Sequence, residues 1–369
     1  MGGEVVDALT TTSLYNPDIR WEAIHQANIG VDLSLFNSRV NLSLDAYVKN
    51  TKDMLVSASV PITAGFDETV SSCQTNAGKV SNKGVELALH TYNFVGGDFN
   101  WDTSLNLTYN TNEIVDLNSN IPMFRNEIAG ENVIRLANGF PINTFYGYVT
   151  DGIFQNWDEV YAHTNENGKL VQSNAQPGDI RFKDLNHDGV LDENDKTWIG
   201  NPYPDLMVGL NLGFSYKNID FTANFYGTFG NDIFNKTKGL YSGVSGQNVW
   251  AGTLQKAWHG EGTSNDIPRL SYNDLNQNYT RVSSFFVEDG SYMRCKLLQV
   301  GYTLPKKWLN GTELRLSLSA QNPFTITSYS GMDPERPQIG KDGSVIETGI
   351  DGIAYPNPRT FLFGIDLKF

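Results

Sequence analysis

The densest chemistry in the chain is one acidic run, Asp184-Leu-Asn-His-Asp-Gly-Val-Leu-Asp-Glu-Asn-Asp195. Side-chain oxygens stand at its first, third and fifth places (Asp184, Asn186, Asp188), and Gly189 takes the sixth. The carbonyl of Val190 falls at the seventh place, and acids occupy the ninth and twelfth (Asp192, Asp195). Hard oxygens at this spacing, with glycine at the sharp turn, are the ligand pattern of a calcium-binding loop. Asp195 departs from that pattern, because glutamate usually supplies the twelfth ligand and aspartate has a shorter reach. No amphipathic helix flanks the run, so the expectation is a calcium-stapled loop rather than a sensor. An acidic turn without metal is the alternative.

Catalytic constellations are sparse. The histidines, His25, His90, His163, His187 and His259, are scattered, and GxSxG, HExxH and CxxC motifs do not occur. His90 falls on the polar face of an alternating segment, where it reads as a lining residue. The expectation is therefore a protein that is not an enzyme. Long connecting segments carry Trp157, Trp250, Trp258 and Tyr241, whose ring faces suit stacking on sugars or peptides. Packing of the loops on one another accounts for the same rings equally well, so none is assigned to a site. Cys73 and Cys295 lie far apart, and the simpler expectation is two unpaired thiols.

These groups must be held by strands. Ile29, Val31, Leu33 and Leu35 alternate with polar residues, and after a short turn Val40, Leu42, Leu44, Ala46 and Val48 do the same. Val85 to Leu89 and Phe99 to Tyr109 form a second such pair, and Val208 to Tyr216 and Ile219 to Phe225 a third. Leu298 to Leu304 and Leu314 to Ala320 form a fourth, and Phe361 to Phe369 is a final single strand. Period-two alternation repeated this often predicts about nine strands of about ten residues, the length of a tilted membrane strand.

A soluble sandwich would show the same alternation. Two features favour a membrane barrel. Short turns (after 36, 93, 217 and 304) alternate with long segments (51–83, 112–205, 230–290 and 323–359), as in outer-membrane barrels. Aromatics such as Trp101, Tyr109, Phe214, Tyr216 and Tyr302 gather toward the ends of the apolar stripes, where an interfacial girdle belongs. The predicted fold is all-β, an antiparallel transmembrane β-barrel with long extracellular loops. Residues 1–369 form part of the barrel, and 112–205 a long loop insertion bearing the acidic run. An odd strand number predicts a piece of a larger barrel, since an open edge in lipid leaves N–H and C=O groups unsatisfied.

Composition agrees. The chain has 27 basic and 41 acidic residues, a net charge of -14, which disfavours a nucleic-acid partner. Aromatics reach 12% while charged residues are only 18%, the balance of a wet lumen with aromatic girdles. The first residues show neither a basic n-region nor an apolar h-region, so no signal peptide is expected there.

Five ordered motifs then resemble the SusC/RagA family of TonB-dependent outer-membrane receptors: Asn16–Glu22 (NPDIRWE), Asn76–Gly84 (NAGKVSNKG), Gly178–Asp184 (GDIRFKD) with its acidic loop, Arg281–Pro305, and Tyr355–Phe369. The terminal Phe369 is similar to the signal read by outer-membrane assembly machinery. The resemblance implies the C-terminal part of a barrel of about 22 strands. It also implies an N-terminal plug with a TonB box, a SusD-like surface lipoprotein as partner, and energised import of glycans or peptides across the bacterial outer membrane. From residues alone, a secreted calcium-stabilised β-rich module that binds carbohydrate or peptide is the competing reading.

Overall fold

The computed structural model describes residues 16–59, 72–76, 78–117, 123–128, 131–309, 312–335, 349–352 and 355–368. Its main sheet is a path of nine antiparallel strands in chain order. These are β1 (Ala23–Leu35), β2 (Val40–Lys52), β3 (Lys79–Phe94), β4 (Phe99–Asp116), β5 (Leu206–Tyr216), β6 (Ile219–Phe229), β7 (Tyr292–Thr303), β8 (Glu313–Gln321) and β9 (Thr360–Lys368). A short additional strand, Thr325–Thr327, also pairs with β7. β1 and β9 are the two edges of the path.

The register explains why the sequence alternates. Trp101, Phe214, Phe221, Val300, Leu318 and Phe363 face one another across six successive strands. Three residues along, Ser104, Asn211 and Asn224 form a polar row, and Thr222, Gln299 and Ser319, one residue from the apolar row, form another. A slip of one residue would turn every apolar side chain to the polar face, so the two faces fix each other's register. Near the short turns the apolar face is aromatic. Trp101 stacks on Phe214 at 5.5 Å and Phe94 on Trp101 at 6.0 Å.

Sharp turns on one side account for the short connections. Phe36, Asn37 and Ser38 all adopt positive φ (55°, 57° and 63°), and Lys217 does so in the tight β5–β6 turn (53°). On the polar face glycines admit side chains from the next strand. Tyr47 of β2 lies flat across Gly84 of β3, where an added Cβ would be 2.6 Å from the ring, and its hydroxyl donates to Asn110 of β4 at 3.1 Å.

The long connections are themselves folded. They contain a four-stranded sheet (Met123–Ile128, Glu131–Leu136, Phe145–Tyr148, Lys196–Gly200) and a pair formed by Thr150–Ile153 and Ile180–Phe182. A third small sheet joins Asp232–Asn235, Val287–Asp289 and Ile350–Asp351. The main hydrophobic core lies here rather than in the nine-stranded wall: Val133, Ile134, Phe145, Phe234, Val282 and Phe286 are buried together. The wall shows the opposite pattern, with Leu318, Phe361, Phe363 and Ile365 between 58% and 72% exposed. Phe369 lies outside the described residues.

Candidate functional site

The acidic run folds as a compact loop just before the strand Lys196–Gly200. Asp184 accepts the backbone N–H groups of His187 and Gly189, both at 2.8 Å. Asn186 accepts from Asp188 at 3.0 Å, and Asp188 from Val190 at 2.8 Å. Gly189, at φ 78°, makes the turn that its place in the pattern requires. Asp184, Asn186 and Asp188 therefore share one tight turn, with the Asn186 amide also donating to Asp188 at 2.8 Å.

The twelfth position differs. Asp195 is fully buried, and its two carboxylate oxygens accept N–H groups from Leu185 and Asp192, each at 2.8 Å. Its short arm is thus directed to the backbone and closes the loop. Asp192 caps the last turn through Asn194 N–H at 2.8 Å. Among the described residues no three His, Cys, Asp or Glu side chains converge closely enough to hold a metal ion. Asp184, Asn186 and Asp188 are thus drawn into one hydrogen-bonded turn, and Asp195 closes the loop onto the backbone.

The aromatic candidates separate into different surroundings. Tyr241 and Trp250 stack at 5.2 Å and 20° and line a cavity of about 880 Å³. Trp258 instead packs under Gly178, and its indole N–H donates to Gln155 at 3.2 Å. Trp157 stacks on Tyr161 at 5.6 Å on a short exposed helix, Trp157–Ala162. His90 faces its neighbour Ser104 at 2.6 Å on the polar face of the wall, as a lining residue. Cys73 sits in a short outer hairpin, while Cys295 is a free thiol buried in β7.

A wall with an exposed apolar face, a polar face opposite it, and a main core in the long connections do not suit a soluble module, which would cover its apolar face. They suit a membrane barrel. No helix among the described residues is long and apolar enough to cross a membrane, which says nothing about strands. The model of the TonB-dependent receptor-like β-barrel matches residues 3–132. TonB-dependent receptor P3 of Formosa agariphila is 34% identical over 378 residues, covering 100% of this chain and 36% of that protein. The chain belongs to the TonB-dependent receptor family, as a stretch of its β-barrel.

TonB-dependent receptor SusC of Bacteroides thetaiotaomicron is 28% identical over 388 residues, covering 100% of this chain and 34% of SusC. The RagAB peptide transporter superposes with a TM-score of 0.73 at 25% identity, over 96% of this chain and 36% of its own. The chain thus spans about a third of the length of the relatives it matches. Its place is the bacterial outer membrane, where this family resides.

Within this receptor fold, the motifs noted in the sequence act as clasps between loops. Asn76 donates to the carbonyls of Arg20 and Asp53 at 2.8 and 2.7 Å and accepts from Arg20 N–H at 2.7 Å, tying the first motif to the second. Asp179, in the Gly178–Asp184 motif, is fully buried and pairs with Arg269 at 2.6 Å. Asn278 donates to Asp179 at 2.9 Å and accepts from Ile180 N–H at 2.8 Å, so loops 117–205 and 230–291 share one buried polar network. Burial pushes the carboxyl of neighbouring Asp274 up, against the N–H bonds from Tyr279 and Asn278 that lower it. The bonds of Arg269, Asn276 and Asn278 to Asp179 and Ile180 carry no local signal in the sequence, since those partners lie about ninety or more positions away in the chain.

Asp179→Ala is expected to strand the Arg269 charge and to cost about 3–5 kcal/mol within the loop assembly, the range for breaking a buried pair. Hydrogen exchange at Ile180 and Phe182 should rise while the wall strands stay protected. Unchanged exchange at those two amides would show the pair to be dispensable.

Proposed function

We propose that the chain forms wall and outer loops of a TonB-driven importer that carries a glycan or peptide nutrient across the outer membrane, working with a SusD-like surface lipoprotein. The observation that carries this reading is the inversion of burial: large apolar residues are exposed along the nine strands, while the buried core lies mostly in the folded long connections. A wall of this kind with open edges at β1 and β9 needs further strands to satisfy its N–H and C=O groups in lipid. The greater length of the relatives supplies room for such strands, for a plug, and for the segment that would contact TonB. The names of the relatives support both the TonB dependence and, for one solved relative, peptide transport.

The test is genetic. Deleting the gene should abolish growth on one glycan or peptide source, and complementation should require an intact TonB. Growth that is unaffected on every polymer and peptide source of the host would sink the importer reading.

The acidic loop belongs to the same outer assembly and is proposed to bind one calcium ion through Asp184, Asn186, Asp188, the Val190 carbonyl and Asp192, with Asp195 as the twelfth residue that closes the loop. Leu191 packs against the Tyr148, Ile180 and Phe182 cluster, so the ion would brace that cluster rather than take part in chemistry. Calorimetry on the purified receptor should show calcium binding that Asp188→Ala removes. Calcium should also slow exchange around Ile180. A flat titration, or an unaltered one in Asp188→Ala, contradicts the site.

A further inference from the structure

A small cavity lies where segments 169–174 and 189–191 of one long connection meet 275–281 of another, with a volume of about 270 Å³. Sites for drug-sized molecules begin at about 300 Å³, so this space fits one chemical group rather than an oligomer. Its charged lining residues are Lys169 and Arg281, and no acid shares the wall. The chain as a whole has a net charge of -14, so two cations lining one space stand against its general character.

Arg281 is held in place before any ligand arrives. Its guanidinium sits against the buried Tyr148 and Phe182 rings, 4.8 and 5.0 Å from their centroids. Gln277 accepts from its Nε and Nη2 at 3.1 and 2.6 Å. The remaining amino group, Nη1, has no acceptor among the described residues, and neither Arg281 nor Lys169 pairs with a carboxylate there. Other cations of the loop assembly are spent: Arg269 on Asp179 at 2.6 Å and Lys238 on Glu288 at 2.9 Å. The acidic loop borders the cavity only through Gly189, Val190 and Leu191. Its carboxylates are turned into the loop itself, Asp184 accepting from His187 and Gly189 and Asp188 from Val190. Ser173 and Asn174 add a hydroxyl and an amide that can donate to a bound oxygen. A rigid guanidinium fork beside an ammonium is the arrangement that recognises planar or tetrahedral oxyanions.

We propose that this cavity binds a single oxyanion, a sulfate, phosphate or carboxylate group, held by Arg281 and Lys169 as a brace between the two long connections. The brace needs neither the calcium ion nor the transported nutrient. It reaches the fold through Gln172, which lines the cavity and accepts the Phe182 N–H at 2.8 Å.

The experiment uses the full-length receptor purified in detergent, with EDTA present and ionic strength held constant by sodium chloride. Calorimetry follows sodium sulfate, phosphate, acetate and methyl sulfate. At least one is expected to bind, and Arg281→Gln to weaken it by about tenfold or more, the loss of hydrogen bonds to a charged group. Arg281→Lys should restore only part of this, because an ammonium lacks the fork. Lys169→Gln, at an exposed position that leaves the fold untouched, should weaken binding by about threefold. Hydrogen exchange at Phe182 should slow with the bound anion in the parent and not in Arg281→Gln. Methyl sulfate binding as tightly as sulfate supports the site with the group carried on a larger molecule. Binding of the free dianions alone supports it with a free ion. Absence of binding by every oxyanion overturns the proposal, as does binding that Arg281→Gln and Lys169→Gln leave unchanged. Should Arg281→Gln fail to fold, Lys169→Gln decides alone. Neither calcium nor uptake enters these readouts, so their failure would leave the calcium and importer readings standing.

Discussion

Phe225→Arg is expected to cost the assembled barrel about 2–4 kcal/mol, the penalty for an arginine facing lipid near the bilayer midplane. Phe225 lies midway along β6, opposite Leu210 of β5 and Cys295 of β7, on the apolar face. Its ring also meets Phe324 at 6.4 Å, so the substitution removes packing as well as adding charge. Depth should grade the effect. Leu316 stands level with Tyr302 and Ile365, close to the short turns, where long basic side chains reach the headgroups. Leu316→Arg is therefore expected to cost about 0–1 kcal/mol, the interfacial range. Asn224→Arg, one residue from Phe225 but on the polar face, should assemble with small loss. Urea titration of the receptor folded in lipid vesicles measures all three. Equal stability of Phe225→Arg and Asn224→Arg would mean that the apolar face does not meet lipid.

That grading reflects how differently the two halves of the molecule were written into the sequence. Wall strands are local objects: Leu210, Leu212 and Phe214 alternate within five residues, and the turn Lys217-Asn218 is adjacent. The strand positions, their hairpin pairs and their alternating faces could therefore be read directly, although β3 and β4 extend to 16 and 18 residues, running on toward the long connections. The loop assembly is not local. Asp179 finds Arg269 ninety positions away, and no periodicity announces such a pair. The acidic run was visible because its ligand spacing is short-range, yet the direction of Asp195 was not, because its partners Leu185 and Asp192 are backbone groups that every sequence possesses. Tyr241 and Trp250 could be noticed as aromatics, but only the fold places them in one cavity and sends Trp258 into packing.

Arg294→Ala should release the last long loop from the wall. Arg294 lies on β7 opposite Tyr226 on the polar face and is 4% exposed. Its guanidinium divides between Asp333 and Glu335, at 2.5 Å to each, and donates to the Thr325 hydroxyl at 2.8 Å. Lys296, at the β7 bulge, adds a second cation against Glu335. Asp333 also accepts N–H groups from Glu335 and Asn357, which ties the loop to the segment entering β9. Removing Arg294 leaves the buried Asp333 charge without its cation, and breaking a buried pair in this way costs about 3–5 kcal/mol. Arg294→Lys should recover only part of this, because an ammonium cannot serve two carboxylates and a hydroxyl in fixed directions. The pH dependence has a definite sign. Burial pushes the Asp333 carboxyl up, but Arg294 and the two N–H donors outweigh it and hold it below the ordinary value of 3.8. Its contribution is therefore complete above that value and is lost as pH falls through the depressed one. In Arg294→Ala the depression should vanish, and the carboxyl should take up its proton at a higher pH than in the parent. Hydrogen exchange at Tyr329 and Asn357, followed from neutral pH downward, reads both effects. Equal protection in Arg294→Ala and the parent at neutral pH would show that the loop is held by its other contacts, and that the guanidinium at the base of β7 is not what anchors it.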